Sequence, residues 1–203
     1  MNLVVKVRNV LRGFKQVWGK SSTKRQLWDT EYAAGRWNVL DHTEGAVLYD
    51  YLQKYASDGS ILDLGCGSGN TANEVTFQYR RYVGVDVSAV AVQKATDRSA
   101  LNGRSARNSY AAEDVLAYVP EGKFDVILLR ESVYYISPLH LKGMFLRYSA
   151  FLNPKGVFII TIGEHGTKKA RRDKIYKLID ENFNVVERIT SPGSDDAIVV
   201  FRC

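Results

Sequence analysis

The spacing of apolar positions changes near residue 60. Before it, Leu3, Val4, Val7, Val10, Leu11, Phe14, Val17 and Trp18 recur at helical spacing with basic residues between them. This predicts a first helix, weakened at Gly13 and stopped at Gly19. A second helix is predicted over 24–35, followed by a turn or lid segment at Gly35-Arg-Trp-Asn38. A third spans 44–56, with Leu48, Tyr51, Leu52 and Tyr55 on one face.

After residue 60, short apolar runs alternate with helical patterns. The predicted strands are 60–64, 81–86, 108–112, 124–130, 156–162, 184–190 and 197–202. The predicted helices between them are 70–79, 88–101, 138–150 and 168–181, with an irregular link at 114–121. Ile61–Leu64, Val126–Leu129 and Val157–Ile162 are nearly continuous apolar runs, as in strands covered by helices on both faces. The polar segment Ser191-Pro-Gly-Ser-Asp-Asp196 can return the chain as a hairpin. The expected fold is therefore α/β: one Rossmann-like domain whose seven-stranded, mostly parallel sheet has an antiparallel last strand and helices on both faces. Residues 1–56 are expected to form a basic arm and cap, and residues 57–203 the wound domain.

The chemistry concentrates in Ile61-Leu-Asp-Leu-Gly-Cys-Gly-Ser-Gly-Asn70. A strand enters a turn carrying Gly65, Gly67 and Gly69, which lets a ligand approach the backbone at the mouth of a parallel sheet. Asp63 is awkward beside a pyrophosphate but apt beside a cation or an amino acid moiety. Asn70 occupies the position where the dinucleotide fingerprint wants its last glycine. The second strand ends in Asp86, 21 residues after Gly65, where its carboxylate can accept from ribose hydroxyls or cap the next helix.

This stretch resembles the first motif of class I S-adenosylmethionine-dependent methyltransferases, and the resemblance extends over residues 60–202. It implies the strand order 3-2-1-4-5-7-6 with strand 7 antiparallel, and S-adenosylmethionine as cofactor with S-adenosylhomocysteine as product. It also implies a cofactor site built from Asp63, Gly65, Cys66, Gly67, Gly69, Asp86 and Val87. In Ala111-Ala-Glu-Asp-Val-Leu116, Asp114 matches the acid that receives the adenine amino group, with Glu113 and Val115 beside it. Asp125-Val-Ile-Leu-Leu-Arg130, followed by Glu131-Ser-Val-Tyr-Tyr-Ile136, resembles the fourth motif of small-molecule members, which brings Arg130 to the cofactor. The pattern Asn/Asp-Pro-Pro-Tyr/Phe of DNA and protein amino methyltransferases is absent from it.

Methyl transfer is an in-line displacement in which alignment supplies much of the rate. A hydroxyl acceptor also benefits from a base, for which Glu131 and His165 are the candidates, His165 having the better intrinsic pKa. Tyr134, Tyr135, Arg36 and Trp37 are expected to shape the acceptor side. The expected reaction is methyl transfer to an oxygen, or a nitrogen, of a small metabolite, with a carbohydrate or glycan hydroxyl as the favoured acceptor. RNA methylation and a catalytically silent cofactor-binding protein are the alternatives.

Charge alters one part of this picture. The net charge is +6, yet residues 1–25 hold seven basic residues and no acid, leaving 21 bases against 22 acids elsewhere. Nucleic acid is therefore a poor partner for the body. The basic stripe suits peripheral contact of residues 1–20 with an anionic membrane, packing on the enzyme, or a homodimer contact. Lys168, Lys169, Arg171 and Arg172 form a second basic run that either solubilises a helix or meets an anionic substrate. Two cysteines form no disulfide framework, and His42, His140 and His165 have no metal-ligand spacing with them. No apolar run approaches a membrane span and the first residues do not read as a signal peptide, so the expected location is cytoplasmic, with membrane contact at most peripheral.

Overall fold

A computed structural model describes residues 3–38, 47–163, 169–190 and 197–203. Among them, seven strands form one sheet: β1 (Ser60–Leu64), β2 (Arg81–Asp86), β3 (Asn108–Ala112), β4 (Phe124–Arg130), β5 (Leu152–Ile162), β6 (Asn184–Thr190) and β7 (Ala197–Arg202). Their order is β3-β2-β1-β4-β5-β7-β6. β7 runs antiparallel to both β5 and β6, and the remaining pairs are parallel. Reversal of direction at β7 lets a hairpin close the edge without another crossover helix.

The helices are α1 (Leu3–Trp18), α2 (Ser21–Ala33), α3 (Leu48–Ala56), α4 (Asn70–Glu74), α5 (Ala89–Leu101), α6 (Pro138–Ser149) and α7 (Lys169–Asn182), with a 3-10 turn at Val133–Tyr135. Alternation along the strands sends Leu62, Leu64, Val83, Val85, Ile127 and Leu129 into a core with Phe145, Tyr148, Ile175 and Ile179. Ile61, Tyr82, Val126 and Leu128 enter the opposite core, against Leu52, Ala56, Ala72 and Val75. Asp63 shares the face of Ile61 and lies beneath this second layer, buried among apolar groups.

Several boundaries differ from expectation. The helix expected over 70–79 stops at Glu74, because Val75 becomes extended and carries Val75 and Tyr79 into the core beside Tyr82. β5 begins at Leu152 rather than 156, since Leu152 pairs with Phe124 before the register shifts toward Val126. The helix predicted over 24–35 covers Ser21–Ala33. Of the predicted 44–56 helix, residues 44–46 lie outside the described residues.

Candidate active site

The glycine turn is closed by its own backbone. The Gly65 and Cys66 N–H groups both donate to the Val85 carbonyl, at 2.7 and 3.1 Å, and the Gly67 N–H donates to Asp86 Oδ2 at 3.0 Å. The turn thus spends these donors internally, and its value to a ligand is the close approach that missing Cβ atoms allow. Gly65 has φ 88°, and a Cβ there would collide with Ser132, whose hydroxyl donates to the Leu64 carbonyl at 2.6 Å. Gly67 has φ 53°, and its Cβ would lie 2.6 Å from the Tyr32 hydroxyl. Cys66 is buried, and desolvation together with the Asp86 and Asp63 charges pushes its thiol pKa up.

Asp86 stands at the end of β2 with its second oxygen accepting the Ser88 N–H at 2.9 Å. The cap of α5 is Ser88, whose Oγ accepts from the Ala91 N–H at 3.1 Å. Asp86 therefore braces the glycine turn against the start of α5. Burial raises its pKa to about 6, opposed by the hydrogen bonds from Ser88 and Gly67.

Asp63 is held differently. Its Oδ2 accepts from the Tyr82 hydroxyl, while its Oδ1 is buried with no hydrogen-bond partner. Burial raises its pKa to about 7, despite the Tyr82 hydrogen bond and the positive charge of Arg130. An unsatisfied buried carboxylate oxygen is costly, and a cationic group placed beside it removes that cost. Arg130 donates to the Tyr49 hydroxyl at 3.0 Å and to Thr71 Oγ1 at 3.2 Å, with the Glu74 carboxylate 3.9 Å away. It ties the end of β4 to α3 and α4 at the same end of the crevice.

At the other end, Asp114 accepts the Leu116 N–H at 3.0 Å and the Ser21 hydroxyl at 2.7 Å. The Glu113 N–H donates to the Asp86 carbonyl at 2.9 Å. The Val115 carbonyl is fixed by Arg147 and Tyr148, at 2.8 and 2.7 Å. Arg25 donates to the carbonyls of Val87, at 3.1 Å, and Ala112, at 2.9 Å.

Ser21 and Arg25 belong to α2, which lies across the ends of β1, β2 and β3. Asp29 accepts from the Ser88 hydroxyl at 2.7 Å and the Val90 N–H at 3.2 Å, and Lys94 donates to the Tyr32 carbonyl at 2.7 Å. Tyr32 is pushed far above the usual phenol range by burial, then by the charges of Asp86, Cys66, Tyr135 and Asp63. Its hydroxyl thus stands among the acids of the crevice. Trp28 meets Tyr135 edge-on, with ring centres 4.9 Å apart. None of these α2 residues was singled out from sequence; the only signal was Trp28 and Tyr32 at i, i+4 spacing in a predicted helix.

Glu131 follows β4 with φ 51°, an uncommon backbone state that costs about 1–3 kcal/mol outside glycine. Its Oε1 accepts from the Gly163 N–H at 2.7 Å and the Thr161 hydroxyl at 3.2 Å, and its Oε2 from the Tyr134 hydroxyl at 3.2 Å. Glu131 consequently clamps the ends of β4 and β5 together. The rings of Tyr134 and Tyr135 are 4.5 Å apart, and burial raises both phenol pKa values. Arg36 pairs with Glu31 at 3.0 Å, and Trp37 packs on Trp28 with its indole N–H buried and unpaired. His165 lies outside the described residues.

The residues fit S-adenosylmethionine. The unpaired Asp63 oxygen matches a cationic amino group, Asp86 lies on the neighbouring strand end, and Asp114 and Val115 line the third.

The family described as "Methyltransferase domain" matches residues 40–181. An uncharacterised methyltransferase of Schizosaccharomyces pombe is 28% identical over 160 residues, covering 70% of this chain and 57% of that protein. The phosphoethanolamine N-methyltransferase of Plasmodium falciparum is 26% identical over 140 residues, 58% of this chain and 52% of that protein. The chain spans about half the length of the curated relatives it matches. In structure it is similar to the N-methyltransferase NodS of Bradyrhizobium japonicum WM9 in complex with S-adenosylhomocysteine. The TM-score is 0.63 at 20% identity, covering 86% of this chain and 98% of that one. With the match extending over most of the wound sheet, the chain belongs to the methyltransferase-domain family, with the class I S-adenosylmethionine-dependent fold.

Proposed function

We propose that this protein transfers a methyl group from S-adenosylmethionine to an oxygen or nitrogen of a small molecule. The observation that carries the reading is the buried, unpaired Oδ1 of Asp63 beside the glycine turn, one strand from Asp86. Asp63 would hold the donor's amino group, Asp86 the ribose hydroxyls, and Asp114 with Val115 the adenine. The donor brings an activated methyl group on a sulfonium, so the protein need not generate the electrophile. The task left to the protein is alignment in a closed site, for which α2 provides the roof and Tyr134 and Tyr135 the acceptor wall.

The carbohydrate hydroxyl favoured from sequence would need a base for its proton. Three donors already hold Glu131, two on Oε1 and one on Oε2, which leaves a substrate hydroxyl only the remaining lone pair of Oε2. A neutral amine attacks without prior loss of a proton, and this clamp supports nitrogen as the second acceptor. The names of the Plasmodium falciparum relative and of NodS point the same way. The test is incubation with isotope-labelled S-adenosylmethionine and separate pools of aminoalcohols, amino sugars, neutral glycans and RNA, with products identified by mass spectrometry. Label in a small-molecule pool supports the proposal, and label confined to RNA refutes it.

A further inference from the structure

Four large apolar side chains in the C-terminal part of α1 face outward. Val10, Leu11, Phe14 and Trp18 are 72%, 55%, 61% and 46% exposed. Arg12 instead reaches the buried Glu31, at 2.8 Å. A helix serving only as a cap would bury the stripe and expose the arginine. Side chains this large, exposed together on one face, mark an interaction surface.

The stripe continues into a groove of about 360 Å3 between the end of α1, the start of α6 and α7. Trp18 belongs to both, and Ile136, Leu141, Ile175 and Leu178 line the groove with Arg171 and Lys174. Leu139 stands exposed at the start of α6. Lys15 and Lys20 are exposed near the stripe, in a segment with seven bases and no acid over residues 1–25. A second copy on this face would set two such basic segments against each other, and like charges across an interface are unfavourable. An anionic surface with an apolar interior satisfies both halves of the pattern.

We propose that α1 and the adjoining groove dock the protein on the surface of an anionic lipid bilayer. Val10, Leu11, Phe14 and Trp18 enter the acyl boundary, while Lys15, Lys20 and Lys174 meet headgroup phosphates. None of the helices among the described residues is long and apolar enough to cross a membrane, so the contact is peripheral. α1 packs beside the 133–135 turn that carries Tyr134 and Tyr135, which puts the docking face next to the acceptor wall.

The test is cosedimentation of the full chain with vesicles of phosphatidylcholine alone or mixed with phosphatidylglycerol. The protein should bind the mixed vesicles, dissociate as salt rises, and bind the neutral ones at least about tenfold more weakly. The double variant V10D/F14D and the charge reversal K15E/K20E should each reduce binding by about tenfold or more. Melting temperature and S-adenosylhomocysteine binding should stay unchanged, so failure of docking is separable from failure of the methyltransferase reading. Absence of binding to anionic vesicles, equal binding to both lipids, or undiminished binding by both variants would overturn the proposal. A dimer that dissociates in V10D/F14D, without vesicle binding, would overturn it in favour of a second copy.

Discussion

Replacing Asp63 with asparagine separates stability from ligand binding. In the folded protein its pKa is raised from 3.8 to about 7, mainly by burial. Between these values the folded chain binds more protons than the unfolded one, so stability falls as pH rises. Integrated over the whole window, a shift of about three units amounts to roughly 4 kcal/mol, of which about 2 kcal/mol falls between about pH 5.5 and 8. D63N lacks this dependence, so denaturant unfolding should show wild type losing about 2 kcal/mol relative to D63N across that range. Binding should change in the opposite sense. D63N removes the charged acceptor for an ammonium, so calorimetry should find S-adenosylhomocysteine weakened by about 1.5–3 kcal/mol, roughly 10- to 150-fold. The wild type should also bind more tightly as pH rises from about 5.5 toward 7, with D63N retaining only the shallower dependence due to Asp86. Unchanged affinity in a folded D63N, or parallel stability-versus-pH curves for the two proteins, would refute the reasoning.

Asp86→Ala should weaken S-adenosylhomocysteine by about 1.5–3 kcal/mol in calorimetry, because ribose hydroxyls lose a charged acceptor and the turn loses its Gly67 brace. Gly67→Ala combines φ 53° with a Cβ 2.6 Å from the Tyr32 hydroxyl, so it should lower both melting temperature and donor affinity. Adding Tyr32→Ala should restore part of the affinity, and no restoration would remove Tyr32 from the crevice. Once an acceptor is known, Glu131→Gln should lower kcat more than donor affinity, and His165→Ala tests the other candidate base. Normal kcat in both variants across pH would leave alignment as the account.

Much of the sheet is legible because β1, β4 and the end of β5 are nearly continuous apolar runs between turn residues. The limits of α4 and β5 were set by partners distant in sequence. Val75 and Tyr79 lie outside the helix in a core that includes Leu52 and Val126, and Leu152 joins the strand by pairing with Phe124. At the site, glycine spacing and Asp86 pointed to the crevice, because turn geometry and strand ends are local properties. Periodicity identifies the apolar face of a helix without naming its neighbour, so the cap over residues 1–56 was legible while the contacts of α2 with Asp114, Ser88 and Gly67 were not. The apolar stripe of α1 was legible for the same reason, but not that Val10, Leu11, Phe14 and Trp18 stand exposed. The Glu131 clamp joins residues about 30 apart through Thr161 and Gly163, and Asp63 meets Tyr82 across two strands. Neither contact leaves a local trace in the sequence.

The identity of the crevice's ligand is the central claim, and parallel calorimetric titration of the purified protein with S-adenosylhomocysteine and NAD tests it most directly. The account predicts one S-adenosylhomocysteine per chain, with NAD at least about tenfold weaker, a preference of roughly 1.4 kcal/mol or more. NAD binding as tightly as S-adenosylhomocysteine, or more tightly, would contradict it.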